Sequence, residues 1–232
     1  MRSPRADRRS VGRLGLVLAV VLIVDLAIAA YLVYRSQARP VPRTEVERRL
    51  LAAQEALKSG RGDDDDWAAY ALALADAGSM REALRAVDEG LSAYEDSPAL
   101  LLAYGRILAR QGRDDDAIAA FRRLEAAVQD RRADALAKTG AESKAYAAEL
   151  TEASIEAARL ELQARSWEEA IRWLDIALKE SPGMADALVK RAEAYAALGD
   201  ADAARRDAEA ALRFVPGFAP ALDLLRSLEA TR

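Results

Sequence analysis

The side chains of this chain that could carry chemistry are carboxylates and guanidinium groups. The sequence has 38 Asp and Glu residues and 34 Lys and Arg residues, but no histidine and no cysteine. Histidine is the commonest general base and metal ligand, and cysteine supplies thiolates for catalysis and metal binding. A Ser-His-Asp triad, a His-ligated zinc site, a disulfide and a thiolate nucleophile are therefore excluded within these residues.

Runs of aspartate are the most concentrated acidic groups. One run occupies Asp63 to Asp66, directly before Trp67, and a shorter one occupies Asp114 to Asp116, directly before Ala117. Neither run has the ligand spacing of an EF-hand calcium loop. Carboxylates at a helix start accept hydrogen bonds from free backbone N–H groups and interact favourably with the helix dipole. We therefore interpret both runs as N-terminal caps rather than metal sites.

Strings typical of catalytic or nucleotide-binding loops are absent from the sequence. It contains no P-loop, no GxGxxG and no GxSxG. Nothing in the sequence distinguishes a catalytic carboxylate pair among the 38 acids. We therefore predict that the protein is not an enzyme and that it has no cofactor and no metal.

The elements that position the charged groups are predicted to be helices in repeats. Apolar residues recur at helical spacing, and no sustained stretch alternates apolar and polar residues as a half-buried strand does. A step of 34 residues joins Gly78 to Gly112 and, further on, Pro182 to Pro216. A fixed period of about 20–50 residues is typical of solenoid proteins.

At this period the chain resembles the tetratricopeptide repeat family. The matching positions are Trp67, Ala71, Leu74, Gly78, Ala83 and Val87 in a first copy, Leu101, Gly105, Leu108, Gly112, Ala117 and Phe121 in a second, and Leu188, Ala192, Tyr195, Gly199, Ala204, Ala211 and Pro216 in a fourth. The third copy departs from the family pattern. Glu161 stands there where an aromatic residue is expected, and Arg165 replaces the turn glycine.

The resemblance covers residues 44–231 and implies an all-α fold, a helix-turn-helix solenoid. The repeats are expected at 65–98, 99–124, 151–184 and 185–218, with an insertion near 125–150 and a capping helix at 219–231. Thr44 to Glu47 form a capping-box sequence, which predicts the start of one more helix, the second half of an incomplete repeat.

The residues before this region differ from it in charge and hydropathy. Residues 1–43 carry eight Arg and two Asp, a charge of +6, which leaves the rest of the chain at −10. Such an acidic repeat region lacks the basic face that nucleic-acid binding requires, so we exclude that function.

The mostly apolar residues 14–34 would form a helix of about 31 Å, close to the thickness of a hydrocarbon core. We predict a basic segment at 1–13, a transmembrane helix at 14–34 and a linker at 35–43.

A cleaved signal peptide ending at Ala27-Ile28-Ala29 is the alternative for this apolar run. The run continues to Val33, which favours an anchor. The short basic N-terminus predicts a single-pass inner-membrane protein with a cytoplasmic N-terminus and periplasmic repeats. Asp25 would cost about 2.5–3.5 kcal/mol near the bilayer centre, so either a partner helix satisfies its carboxylate or the remaining apolar residues compensate.

The resemblance also implies a concave groove lined by the first helix of each repeat. Among the inward positions, those expected to bind a partner are Leu72, Asp76, Leu102, Arg106, Arg110, Ile155, Arg159, Leu162, Val189 and Glu193. Arg106 and Arg110 lie one turn apart on one helix face, and with Arg159 they could bind an acidic partner segment. Alternatively, these arginines pair with Asp76, Glu152 or Glu193 across the groove and bind nothing.

The sequence therefore predicts a membrane-anchored scaffold that binds a protein or peptide partner in an envelope assembly, secretion or folding complex. The alternative is a self-associating structural subunit, a homo-oligomer with no dissociable partner. The family's clamp for the C-terminal carboxylates of chaperones relies on groove asparagines. This chain has no asparagine, so that specialised role is not expected.

Overall fold

The computed structural model describes residues 28, 44–59 and 62–230. The chain divides into two units, Met1–Arg43 and Thr44–Arg232, and ten helices of the second unit are described, with no strand in the described residues. They are α1 (Glu45–Lys58), α2 (Asp64–Asp76), α3 (Met80–Ala93), α4 (Pro98–Arg110), α5 (Asp114–Thr139), α6 (Ala147–Gln163), α7 (Trp167–Glu180), α8 (Ala185–Ala197), α9 (Ala201–Phe214) and α10 (Ala219–Ala230). The prediction of an all-α repeat fold is confirmed.

Consecutive helices pack as hairpins. The most extensive contacts join α2 to α3, α4 to α5, α6 to α7 and α8 to α9, the two helices of each repeat. Helix α1 packs on α2. The first helices also contact one another, α2 with α4 and α4 with α6, so these three form one layer. The second helices α3 and α5 pack against the helices of this layer.

Each hairpin turn requires one residue in the left-handed backbone region. Gly78, Gly112 and Gly199 have φ values of 82°, 71° and 85° at three of the turns. In the third repeat Arg165 adopts this conformation with φ 60°. A residue with a Cβ pays about 1–2 kcal/mol there. Arg165 therefore lowers the stability of this turn but preserves its backbone shape.

Local side chains fix the start of several helices. Thr44 and Glu47 form the predicted capping box of α1, and Asp63 caps α2 by accepting from the backbone N–H of Asp66 at 3.0 Å. The capping prediction is wrong for Asp114 to Asp116. Helix α5 already begins at Asp114, and its N-cap residue Arg113 makes no side-chain cap bond. These three acids lie within the first turn, where they interact with the helix dipole, and Asp116 also accepts a hydrogen bond from Arg113 at 2.8 Å.

The extra residues between the second and third repeats lengthen a helix. Helix α5 has 26 residues, whereas α3, α7 and α9 have 14 each. The extension is held by Arg132, which donates to both carboxylate oxygens of Glu180 at 2.6 and 3.1 Å and to the carbonyl of Ala145 at 3.0 Å. Residues 140–146 then connect α5 to α6, which begins at Ala147, four residues before the expected repeat boundary.

The core between the helices is mostly alanine and leucine, with Phe121 and Trp173 as its largest fully buried side chains. Phe121 lies against a glycine of the paired helix. A Cβ built on Gly105 would come within 2.3 Å of the Phe121 ring. Because interiors are packed to the density of organic crystals, the large ring requires glycine at that position.

The fourth repeat contains a polar connection in place of apolar packing. Arg191 of α8 donates to Asp207 of α9 at 2.7 and 2.8 Å and to Asp175 of α7 at 2.6 Å. The hydrogen bond with Asp207 raises the pKa of Arg191 further above its usual range, despite the opposing effect of burial. One guanidinium group thereby links three helices.

The last helix has the character of a cap. Ala221 and Leu228 of α10 are buried, while Asp223, Arg226 and Glu229 are exposed. A polar outer face on the terminal helix prevents further stacking, as solenoids require.

No helix in residues 44–59 and 62–230 is both long enough and apolar enough to cross a membrane. The predicted transmembrane helix at 14–34, including Asp25, lies outside the described residues except for Ile28. The basic segment at 1–13 and the linker at 35–43 also lie outside them.

Candidate binding groove

Four helices surround a cavity of about 940 Å³, which we call the first cavity. They are α1, α2, α4 and α6. Apart from Leu72, its apolar lining consists of alanines. The charged residues of its lining are Arg49, Asp66, Asp76, Arg106, Arg110, Glu156 and Arg159. Small side chains on adjacent helices leave this space open, because an alanine fills little of the volume between two helix backbones.

A second cavity of about 300 Å³ adjoins the first and shares Ala69 and Leu72 with it. Ala68, Leu102 and Ala103 contribute to its apolar lining. Its charged residues are all acidic: Asp65 from α2 and Glu149 and Glu152 from α6. The groove formed by the two cavities therefore has a mixed-charge part and an acidic part.

The structure brings six of the ten predicted groove residues to these cavities. Five line the first cavity, namely Leu72, Asp76, Arg106, Arg110 and Arg159, and Leu102 lines the second. The other four line neither cavity. Ile155 and Leu162 are half-buried on α6, Val189 is buried in the core, and Glu193 is exposed on α8.

The arginines of the first cavity are paired within the groove. Arg110 contacts Asp76 at 2.6 Å, and Arg106 contacts Glu152 at 2.9 Å across α4 and α6. Arg159 contacts Glu156 on its own helix at 3.1 Å. The expected pairing with groove acids is therefore present for Arg106 and Arg110, whereas Arg159 pairs with an acid of its own helix and Glu193 forms no ion pair with these arginines. Ion pairs this exposed contribute roughly 0–1 kcal/mol each, so they do not rigidly fix the side chains.

The acids of the second cavity lie close enough to affect one another. Burial raises the pKa of Asp65, and the negative charges of Asp64, Asp63 and Glu149 raise it further. Glu149 belongs to α6 and the other acids to the start of α2. Negative charge therefore accumulates where the N-terminal ends of α2 and α6 approach each other.

The aspartates at the start of α2 also bring three carboxylates together. Oxygen atoms of Asp63, Asp64 and Asp65 lie within 4.8 Å of one another. Two of these groups already have structural partners: Asp63 caps α2, and Asp64 accepts the hydroxyl hydrogen of Ser97 at 2.7 Å. These bonds agree with the predicted structural role of the run and give no reason to assign a metal.

Sequence reasoning missed the contribution of α1 to the groove. Arg49, Ala52 and Ala56 of this helix line the first cavity. The sequence carried a signal, since small residues one turn apart on a terminal helix mark a face that leaves room beside it. What it did not show was that this face borders the same space as α4 and α6.

Comparison with known proteins agrees with this architecture. A profile described as "Tetratricopeptide repeat" matches residues 68–132 and 155–217, more than half of the chain. The unmatched residues between the two segments contain the end of α5 and its connection to α6. A search of the curated proteins gave no match.

Solved structures with similar helix arrangements come from several proteins. A crystal structure of MamA is 21% identical with a TM-score of 0.54, over 68% of this chain and 81% of that one. PilF of Pseudomonas aeruginosa is 13% identical with a TM-score of 0.57, over 80% and 83%. A chain of the APC/C hetero-tetramer Cut9–Hcn1 is 17% identical with a TM-score of 0.58, over 79% and 33%. At these identities the likeness shows the fold alone.

Proposed function

The chain belongs to the tetratricopeptide repeat family, and from that premise we propose that it is a membrane-anchored scaffold holding a protein or peptide partner in its groove. Repeats of this family are non-catalytic and mediate interactions between proteins. The observation that supports a groove site here is the first cavity. Its volume of about 940 Å³ is at the upper end of the roughly 300–1,000 Å³ typical of ligand sites.

The composition of the groove suits an extended or helical segment of a protein. Alanines and Leu72 offer apolar surface, and charged side chains line the same space. Recognition of a segment of chain uses this combination, since apolar burial supplies affinity and charges at the rim supply orientation.

The proposed location rests on the residues before the repeats. The apolar run at 14–34 follows a basic segment, as in a single-pass inner-membrane protein with a cytoplasmic N-terminus. The groove would then face the periplasm, where the partner would belong to an envelope assembly, secretion or folding complex.

Site-specific photo-crosslinking in cells tests the groove. A photoreactive residue at Ala69, which lines both cavities, should crosslink the partner. The matched control is Asp88 on α3, which is also exposed and lines neither cavity. We expect one heterologous product from position 69, identified by mass spectrometry, and its absence from position 88.

Two other outcomes separate the competing functions. Products that contain only a second copy of this chain would favour the self-associating structural subunit. The same heterologous product from both positions would show that the partner does not bind in the groove.

A further inference from the structure

The unneutralised charge of the groove is acidic. Every arginine of the first cavity has an acidic partner at 2.6–3.4 Å. In the second cavity Glu152 is paired with Arg106. The carboxylates of Asp65 and Glu149 have no hydrogen-bond or ion-pair partner within the part of the chain that the structure describes. An incoming anion would therefore have to displace existing ion pairs, whereas a cation would find free carboxylates.

These two carboxylates border one cavity from two different helices. Asp65 stands in the first turn of α2 and Glu149 in the first turn of α6. The mutual repulsion that raises the pKa of Asp65 includes the charge of Glu149. The packing of α2 and α6 on α4 thus places both acids at one cavity, and neither forms an ion pair with a cation of the described residues.

Apart from Glu152, which is paired with Arg106, the remainder of the cavity lining is apolar. Ala68, Leu72 and Leu102 lie beside the two acids. Its volume of about 300 Å³ is at the small end of ligand sites, which suits one side chain rather than a whole molecule. An apolar lining with acids beside it matches the side chains that have an alkyl stem and a cationic head.

We propose that the second cavity receives a lysine or arginine side chain of the partner, with its alkyl stem against Leu72 and Leu102 and its charged head between Asp65 and Glu149. This inference rests on the proposed function, because it assumes that a protein segment occupies the groove. Charge-assisted hydrogen bonds to both carboxylates hold the head group. The rest of the segment continues over Ala69 and Leu72 into the first cavity.

The inference changes the partner chemistry expected from the sequence. Arg106, Arg110 and Arg159 suggested an acidic segment, but their charges are already neutralised by groove acids. The basic side chain in the second cavity therefore sets the position and direction of the bound segment, and the arginines shape the neighbouring wall.

Selection from a library of random dodecapeptides displayed on phage tests the proposal with the full chain. The groove variant combines Asp65→Asn with Glu149→Gln. The matched control combines Asp115→Asn with Glu82→Gln, which removes two exposed acids from the first turns of α5 and α3, away from both cavities. We expect the wild type and the control to enrich peptides with a lysine or arginine at one position, and the groove variant to lose that enrichment at least about tenfold.

A selected peptide then provides a direct measurement. Replacing its basic residue by norleucine keeps the alkyl stem and removes the charge. Binding to the wild-type chain, followed by fluorescence anisotropy, should weaken by roughly tenfold or more. This binding measurement needs no substitution in the protein, so it tests the proposal even if the groove variant folds poorly.

The outcomes distinguish this inference from the proposed function. Peptides that are selected without a basic preference, or that bind the groove variant equally well, overturn the inference and leave the groove as a binding site. Failure to select any peptide, together with no crosslink from position 69, overturns both. Unchanged binding of the norleucine peptide also overturns the inference.

Discussion

Asp65 bears a charge that the folded protein disfavours. Burial and neighbouring acids raise the pKa of its carboxyl group above the unfolded value of about 3.9. The folded chain therefore binds this proton more readily than the unfolded chain does, and stability falls as pH rises through the folded-state pKa. Above that pKa the charged Asp65 lowers the free energy of unfolding, and below the unfolded-state value its effect disappears.

Asp65→Asn should accordingly give a higher melting temperature at pH 7 than Asp115→Asn, because both substitutions remove the same interaction with a helix dipole and only the first also relieves the repulsion around Asp65. The difference should be smaller than the roughly 2–4 °C that 1 kcal/mol produces in a domain of this size, because the side chain is largely solvated. Melting curves followed by circular dichroism should show this difference in melting temperature disappearing below about pH 4.

The exposed Asp115 provides the comparison, since it also stands second in its helix. Asp115→Asn removes only a favourable interaction with the helix dipole and should not stabilise the protein. Equal changes in melting temperature for the two variants, or a difference that persists below about pH 4, would show that the surroundings of Asp65 do not disfavour its charge. Residues of functional sites commonly lower the stability of the folded protein.

Single-residue features differed in how well the sequence predicted them. The caps at Thr44 and Asp63 were predictable because both partners of each bond lie within three residues. The pairing of Arg106 with Glu152 could be named only as an alternative, because the two residues are 46 positions apart and meet through the packing of α4 on α6. Which arginines remain free depends on such long-range contacts.

At the scale of elements, Gly105 of α4 and Phe121 of α5 form a contact between paired helices that leaves no room for another methyl group. Gly105→Ala should overpack this contact and cost about 1–3 kcal/mol, against a gain of about 1 kcal/mol in helix propensity. We expect a net fall in melting temperature with unchanged helix content.

A second substitution shows whether the two side chains cause this fall. The third repeat has alanine and leucine at the equivalent positions, Ala158 and Leu174, and both are fully buried. Gly105→Ala combined with Phe121→Leu should therefore be more stable than the sum of the two single effects implies. Additive effects would show that the added methyl group does not press on the ring.

The repeat helices were predictable from the 34-residue period, whereas the form of the insertion was not. Periodic positions carry a constant signal because each repeat packs on its neighbour in the same way. Residues 133–154 are matched by no repeat of the family profile, so the sequence alone did not show that α5 would continue to Thr139. That outcome depends on long-range anchors, among them the contact of Arg132 with Glu180. The same dependence explains why the role of α1 in the groove was missed.

At the scale of the whole molecule, the membrane anchor is the main untested prediction. If residues 14–34 span the bilayer, the protein should remain in the pellet after carbonate extraction and retain those residues when isolated from membranes. N-terminal sequencing of the isolated protein gives the measurement. A mature N-terminus near Ala30, with release by carbonate, would instead identify a cleaved signal peptide.

Because of where the tryptophans lie, their fluorescence reports on only some of the repeats. Trp67 reports on the first repeat, Trp167 and the fully buried Trp173 report on the third, and residues 185–230 contain none. Ellipticity at 222 nm, by contrast, reports on all the helices equally. If the C-terminal repeat and its cap unravel first, as the one-dimensional coupling of solenoids permits, the ellipticity will fall while the indole emission is still native. The lag between these two optical signals measures how far cooperativity extends along the stack.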